Sequence, residues 1–156
     1  MQTGSSSAAP TAVTVLSFAV GPRTRVALLS RWVREVLSPH ALTPVPGAPP
    51  HVSGIAQIGG RPVAVVDLAP FFGLTGGDVA VDDMPRLVLV QSGTMEVALC
   101  GRSVLVEDLD LDEHAGGDQM FGERLRPHVQ GRVTTRRGIA VVLDLPSVLE
   151  AARVRT

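Results

Sequence analysis

The chain has 156 residues, enough for one ordinary domain or two very small ones, and 45% apolar against 19% charged residues exclude a disordered or fibrous chain. Fourteen basic and 15 acidic residues leave a formal net charge of −1, so nothing draws the chain to nucleic acid or to an acidic membrane surface. The single cysteine, Cys100, excludes an intramolecular disulfide and a cysteine-built zinc site, and 3% aromatic residues are too few for a base-stacking platform.

Residues 1–12 are small and polar and read as a disordered tail, without the basic and apolar regions of a signal peptide. No apolar run approaches the ~20 residues of a membrane helix, so a cytoplasmic protein without direct membrane insertion is expected. Glycine and proline punctuate short, Val-rich segments, which is an all-β pattern. Val13 to Val20 and Arg25 to Ser30 predict a first hairpin around Gly21-Pro22. Trp32 to Leu37 has apolar residues at 32, 33, 36 and 37, a helical spacing, which predicts a short helix ended by Pro39. A Pro-rich loop follows, with a short strand expected around Leu42 to Val45. Ser53 to Ile58 and Arg61 to Leu68 predict a second hairpin on a two-residue Gly59-Gly60 turn, followed by a helical turn over Ala69 to Gly73. A Gly/Asp linker, residues 74–84, comes next.

The order then repeats. Arg86 to Gln91 and Glu96 to Gly101 predict a third hairpin, with Val104 to Val106 continuing apolar and Asp108 to Gln119 expected as an acidic loop. Val129 to Thr134 and Ile139 to Leu145 predict a fourth hairpin, and Pro146 suits the first turn of a terminal helix. VALLSRWV at 26–33 echoes VALCGRSV at 97–104, 71 residues later. AVVDLAPFF at 64–72 echoes VVLDLPSVL at 141–149, 77 residues later. Two echoes in the same order predict a tandem duplication. About five short strands per half suggest one small barrel each, about 13–73 and 85–145, with a helix over 146–153. Barrels this small bury little alone, so the remaining apolar residues are expected to form a third core between them. Asp67 and Asp144 are expected to accept hydrogen bonds from the helical turns that follow them.

Catalytic constellations are missing. His40, His51, His114 and His128 are scattered at spacings unlike those of metal ligands. Asp108, Asp110 and Asp112 begin like a calcium loop, but Glu113 stands where Gly is needed and Gln119 where Glu is needed. No phosphate-binding glycine loop is present, and Cys100 lies in a Val/Leu strand as an inert thiol. The expectation is a non-enzyme without cofactor or metal that works through binding surfaces. A small β-barrel enzyme or ligand-binding domain is the rival, and it would need a deep pocket with converging polar groups.

Several segments in order resemble the CheW-like domain family of bacterial chemosensory adaptors. LSFAVG followed by VALL is similar to that family's opening hairpin, and Val33-Arg34-Glu35-Val36 to its V-x-E-I/V helix. Pro44 to Pro49 resembles its PLP-x-AP loop, Val52 to Gly54 with Pro62 to Leu68 its central block, and Val142 to Leu145 its closing strand. The resemblance runs from about Val15 to Leu149, within a domain expected over 13–151. It implies an all-β fold of two five-stranded, SH3-like barrels. It also implies a stand-alone adaptor, recruited to receptor arrays, that joins the regulatory domain of a CheA-type histidine kinase to the hairpin tip of a chemoreceptor. Carried onto this chain, the partner-binding residues are Val33, Glu35, Val36, Gly54, Gly60 and Arg61. The chain departs from the pattern at Gln57-Ile58-Gly59-Gly60, where the family has Asn-x-Arg-Gly, and Arg61 is the expected stand-in for the missing arginine. Arg102 also replaces a usual Asp. A divergent scaffold of a motility or developmental pathway, with a weakened receptor contact, is the alternative within the family.

Overall fold

The computed structural model describes residues 11–74, 85–113 and 122–153, and the linker and acidic-loop expectations at 75–84 and 114–119 lie outside these. Among the described residues nine strands form one continuous sheet: β1 (Thr11–Val20), β2 (Thr24–Leu29), β3 (Val33–Leu37), β4 (Val52–Ile58), β5 (Arg61–Val66), β6 (Pro85–Ser92), β7 (Met95–Leu111), β8 (Val129–Thr135) and β9 (Gly138–Leu143). Three short helices join them: α1 (Leu68–Phe71), α2 (Gly122–Leu125) and α3 (Leu145–Ala152). All four expected hairpins form, within a residue or two of their expected ends. Thr11 and Ala12, expected in the tail, pair with Leu111 and Asp110, and the rest of the tail expectation lies outside the described residues.

The strands do not sort into one barrel for each half of the chain. The strands run β3-β6-β7-β1-β2-β9-β8, with β5 joining β7 and β4 joining β5, and the sheet stays open. Both halves of the chain contribute to each side of it. One lobe consists of β3, β6, the start of β7, β5 and β4. The other consists of the end of β7, β1, β2, β9 and β8.

The interleaving follows the duplication residue by residue. β2 pairs with β9 in parallel, Val26 against Val141 and Ala27 against Val142. β7 pairs with β5 in parallel, Val97 against Ala64 and Ala98 against Val65. Val26 and Val97 are the 71-residue equivalents, and Ala64 and Val141 the 77-residue equivalents, so the two contacts are one contact made twice. The same relation links the amide of Asp67, bonded to the carbonyl of His51 at 2.8 Å, to that of Asp144, bonded to His128 at 2.8 Å. It also links the bulges before Gly54 and Gly131.

Three apolar clusters result. Ala56, Ile58, Val63, Val65, Leu87 and Leu89 fill the first lobe. Val15, Ala27, Leu29, Val133, Ala140 and Val142 fill the second. The largest cluster draws on both lobes and on the helices, through Phe18, Leu28, Leu68, Val88, Leu99, Leu143 and Leu145 among others. A third core is thus present, and the alternation along β1 shows its origin: Val15 faces the second-lobe cluster, while Leu16 and Phe18 belong to the shared one.

Four local expectations are corrected. Residues 32–37 are not a helix: a 3-10 turn covers Ser30–Trp32, and β3 follows and pairs with β6. A bulge between Val33 and Glu35 explains the helical spacing. Val33 lies opposite Val90 and Val36 opposite Val88, so the extra residue puts positions three apart on one face. The strand expected at Leu42 to Val45 shrinks to one bridge, Thr43 with Ile55. The acidic stretch begins as strand, not loop, since Asp108 to Leu111 pair with β1. The caps divide: Asp67 accepts from the amide of Ala69 at 3.0 Å, while Asp144 makes no side-chain cap and the first turn of α3 carries Pro146.

Candidate functional site

At the end of the first lobe, the β4–β5 turn, β3 and the start of β7 enclose an open hollow of about 350 Å3. Arg34, Glu35, His40, Gly59, Arg61 and Glu96 line it over an apolar floor that includes Ile58 and Leu89. Each arrives for a local reason. Gly59 (φ +58°) and Gly60 (φ +77°) both take the left-handed conformation that a two-residue hairpin turn requires. Arg61 therefore leaves the turn at the first position of β5. The parallel β5–β7 pairing, Ala64 against Val97, brings the preceding residue of β7, Glu96, alongside. The bulge in β3 turns Glu35 to the face that carries Leu89, away from Val33 and Val36.

Arg61 is committed within the hollow. Its Nη2 donates to Oε1 of Glu96 at 2.8 Å. Arg34 donates to the side-chain oxygen of Gln91 at 2.5 Å, and a His40 ring nitrogen contacts the Ser38 carbonyl at 2.8 Å. Glu35 is exposed and makes no hydrogen bond or ion pair among the described residues. Arg61 thus lines the same hollow as Glu35, yet bonds Glu96.

Of the six residues taken as partner-binding, Glu35 and Arg61 line the hollow and Gly60 sits in its turn. Val33 is half-buried against the shared core, whereas Val36 is 41% exposed. Gly54 is buried, and a Cβ there would stand 2.8 Å from the carbonyl oxygen of Thr43, so close backbone approach accounts for this glycine. Glu96 was not singled out from sequence. It opens a Val-rich strand like any solvated residue, and only the long-range β5–β7 pairing gives it a role.

Other polar groups are accounted for elsewhere. Burial, with Asp67 adding to it, pushes the Cys100 thiol up to about 11, which suits an unreactive residue. His128 is held below the usual histidine range by burial, against the opposing pull of Asp144, and a ring nitrogen lies 2.6 Å from the Ser147 hydroxyl. His51 reaches the Ala152 carbonyl at 2.9 Å, and Phe71 lies between the two histidine rings at 5.2 and 5.9 Å. Among the described residues no three His, Cys, Asp or Glu side chains gather as metal ligands. No described helix is long and apolar enough to cross a membrane.

Fold and hollow together define a two-lobed β protein whose polar groups converge at an open lobe end. The family model for the CheW-like domain matches residues 14–153, and the chain belongs to that family. The crystal structure of the scaffolding protein TtCheW from Thermoanaerobacter tengcongensis has the same fold, with a TM-score of 0.68 at 20% identity over 85% of this chain and 89% of that one. No curated protein sequence matches the chain.

Proposed function

We propose that this protein is a non-catalytic adaptor that couples chemoreceptors to a CheA-type histidine kinase in bacterial chemosensory signalling. The observation that carries the reading is family membership over residues 14–153. The open hollow supports it. Glu35 and His40 are exposed and Glu96 is tied to Arg61, so the hollow lacks the water-excluded, preorganised groups of a reaction centre. In this reading the surface around β3, with Val33, Glu35 and Val36, and the turn at Gly60 and Arg61 meet the receptor tip, while the other lobe ends meet the kinase. The test is titration of the chain with a receptor hairpin fragment and, separately, with the kinase regulatory domain. Val36→Asp is expected to weaken receptor binding at an unchanged melting temperature, because an unpaired charge enters an apolar contact. Parent-like affinity of this variant would remove β3 from the receptor surface.

One observation favours a second reading, a divergent scaffold with a weakened receptor contact. Glu35 has no partner among the described residues, because Gly59 carries no side chain and Arg61 is held by Glu96. Under that reading the kinase domain binds in the titration and a standard receptor tip does not.

A further inference from the structure

The second lobe has an end hollow of its own, of about 370 Å3, where the β1–β2 and β8–β9 turns meet β7. Pro22, Arg23, Arg25, Ser103, Arg137 and Ile139 are among its lining residues. It is the duplicate of the Glu35 hollow with a different charge balance, since two arginines and two carboxylates line that one. The 71-residue repeat sets Arg25 where Glu96 stands, and the residues lining this hollow include three arginines and no carboxylate. Arg23 and Arg137 are exposed, and their side chains make no hydrogen bond or ion pair among the described residues. Glu107 reaches the same turn, but it accepts from the Arg136 amide at 3.3 Å and does not line the hollow.

Ser103 adds two further observations. It is the one non-glycine residue with positive φ (+55°) among the described residues, a conformation that disfavours any side chain. It sits at the β7 bulge opposite Phe18, where the register with β1 shifts. Its hydroxyl is buried and makes no hydrogen bond among the described residues. Arg25, 8% exposed and anchored on the Ser17 hydroxyl at 3.0 Å, holds it there by donating to the Ser103 carbonyl. Strained residues and orphaned polar groups gather at ligand clamps.

We propose that this hollow binds a phosphate-class dianion, held between the Arg23 and Arg137 guanidinium groups, with the Ser103 hydroxyl as a further donor. Two exposed guanidinium groups match a double negative charge better than the single charge of a carboxylate, and the guanidinium fork fits tetrahedral oxyanions. The hydroxyl is closed off from solvent, so it reaches the anion by turning about its Cα–Cβ bond, gaining the partner it lacks. Arg25 is a positioning residue, spent on fixing the bulge.

The test is calorimetric titration of the full chain at constant ionic strength with inorganic phosphate, phenyl phosphate and acetate. Inorganic phosphate is expected to bind saturably and acetate not to bind. Arg137→Gln should weaken phosphate binding about tenfold, and Arg23→Gln likewise, with unchanged melting temperatures because both side chains are exposed. Ser103→Gly relieves the backbone conformation and removes the donor, so it should raise the melting temperature while weakening phosphate. Phenyl phosphate binding as well as phosphate assigns the site to a phosphate ester carried by a larger molecule; its exclusion assigns it to the free ion. Acetate binding as tightly as phosphate overturns the proposal. So does the absence of saturable phosphate binding, or phosphate affinity that survives the Arg23→Gln, Arg137→Gln double substitution.

Discussion

Single residues in this protein are constrained most where the backbone comes close to itself. Gly54 combines φ +151° with a Cβ position 2.8 Å from a backbone oxygen, and Gly131 places its Cβ 2.6 Å from the Asp112 carbonyl. Neither neighbour is a flexible side-chain tip. Gly54→Ala and Gly131→Ala are each expected to destabilise the protein by about 2 kcal/mol or more, read by denaturant unfolding. Gly59 differs in kind. Restoring the family's arginine there puts a side chain at φ +58°, which costs on the order of 1–2 kcal/mol, with its Cβ 3.3 Å from the Arg61 guanidinium. Gly59→Arg is therefore expected to lower the melting temperature. His128 sets a pH dependence. Burial lowers its folded pKa below the ordinary histidine value of about 6.5, so the fold favours the neutral ring. That contribution is fully present above about pH 6.5 and is lost as acidification protonates the ring first in the unfolded chain. Melting temperature should fall between about pH 7 and 5.5, and His128→Gln should flatten this part of the profile.

At the scale of elements, pattern was legible wherever strand alternation ran unbroken, and hidden wherever a bulge interrupted it. The hairpins at 13–30, 53–68, 86–101 and 129–145 follow from alternating Val-rich runs around Gly turns. β3 was misread because its bulge converts a period of two into a spacing of three. The second end of β7 was misread because Asp108 and Asp110 look solvated, which they are, while their backbones pair with β1. The hollow was half legible: Glu35 and Arg61 came from family pattern, but Glu96 depends on a parallel contact that no local pattern encodes. The Arg61–Glu96 pair itself is exposed on the arginine side, so it contributes ~0–1 kcal/mol. Glu96→Gln should leave the melting temperature nearly unchanged. It should also release Arg61 toward Glu35 and strengthen receptor binding, measured in the same titration. Unaltered affinity would mean that the Arg61 partner does not matter to that surface.

At the scale of the whole molecule, the duplication was legible but its topology was not. Repeats 71 and 77 residues apart suggest two units side by side, whereas the parallel contacts join β2 to β9 and β5 to β7 across the halves. Side-by-side and interleaved arrangements bury the same alternating residues, so periodicity cannot separate them. Separation of the halves by experiment can. With the chain split within 75–84, neither fragment alone should give a cooperative melt, and mixing the two should restore it. Independent folding of either fragment would contradict the interleaved sheet. The β2–β9 contact also governs how the protein is made. The second lobe needs β1 and β2, which are synthesised early, and β9, which follows long after them, so it closes only once β9 has left the ribosome. Until then the nascent chain holds Val26, Leu28 and their neighbours on an uncovered strand edge, a surface prone to wrong pairing. Pairings this distant in sequence slow the conformational search, so refolding should run in the millisecond-to-second range. Yield during synthesis then depends on how long that edge is shielded by chaperones, more than on the final stability of the sheet.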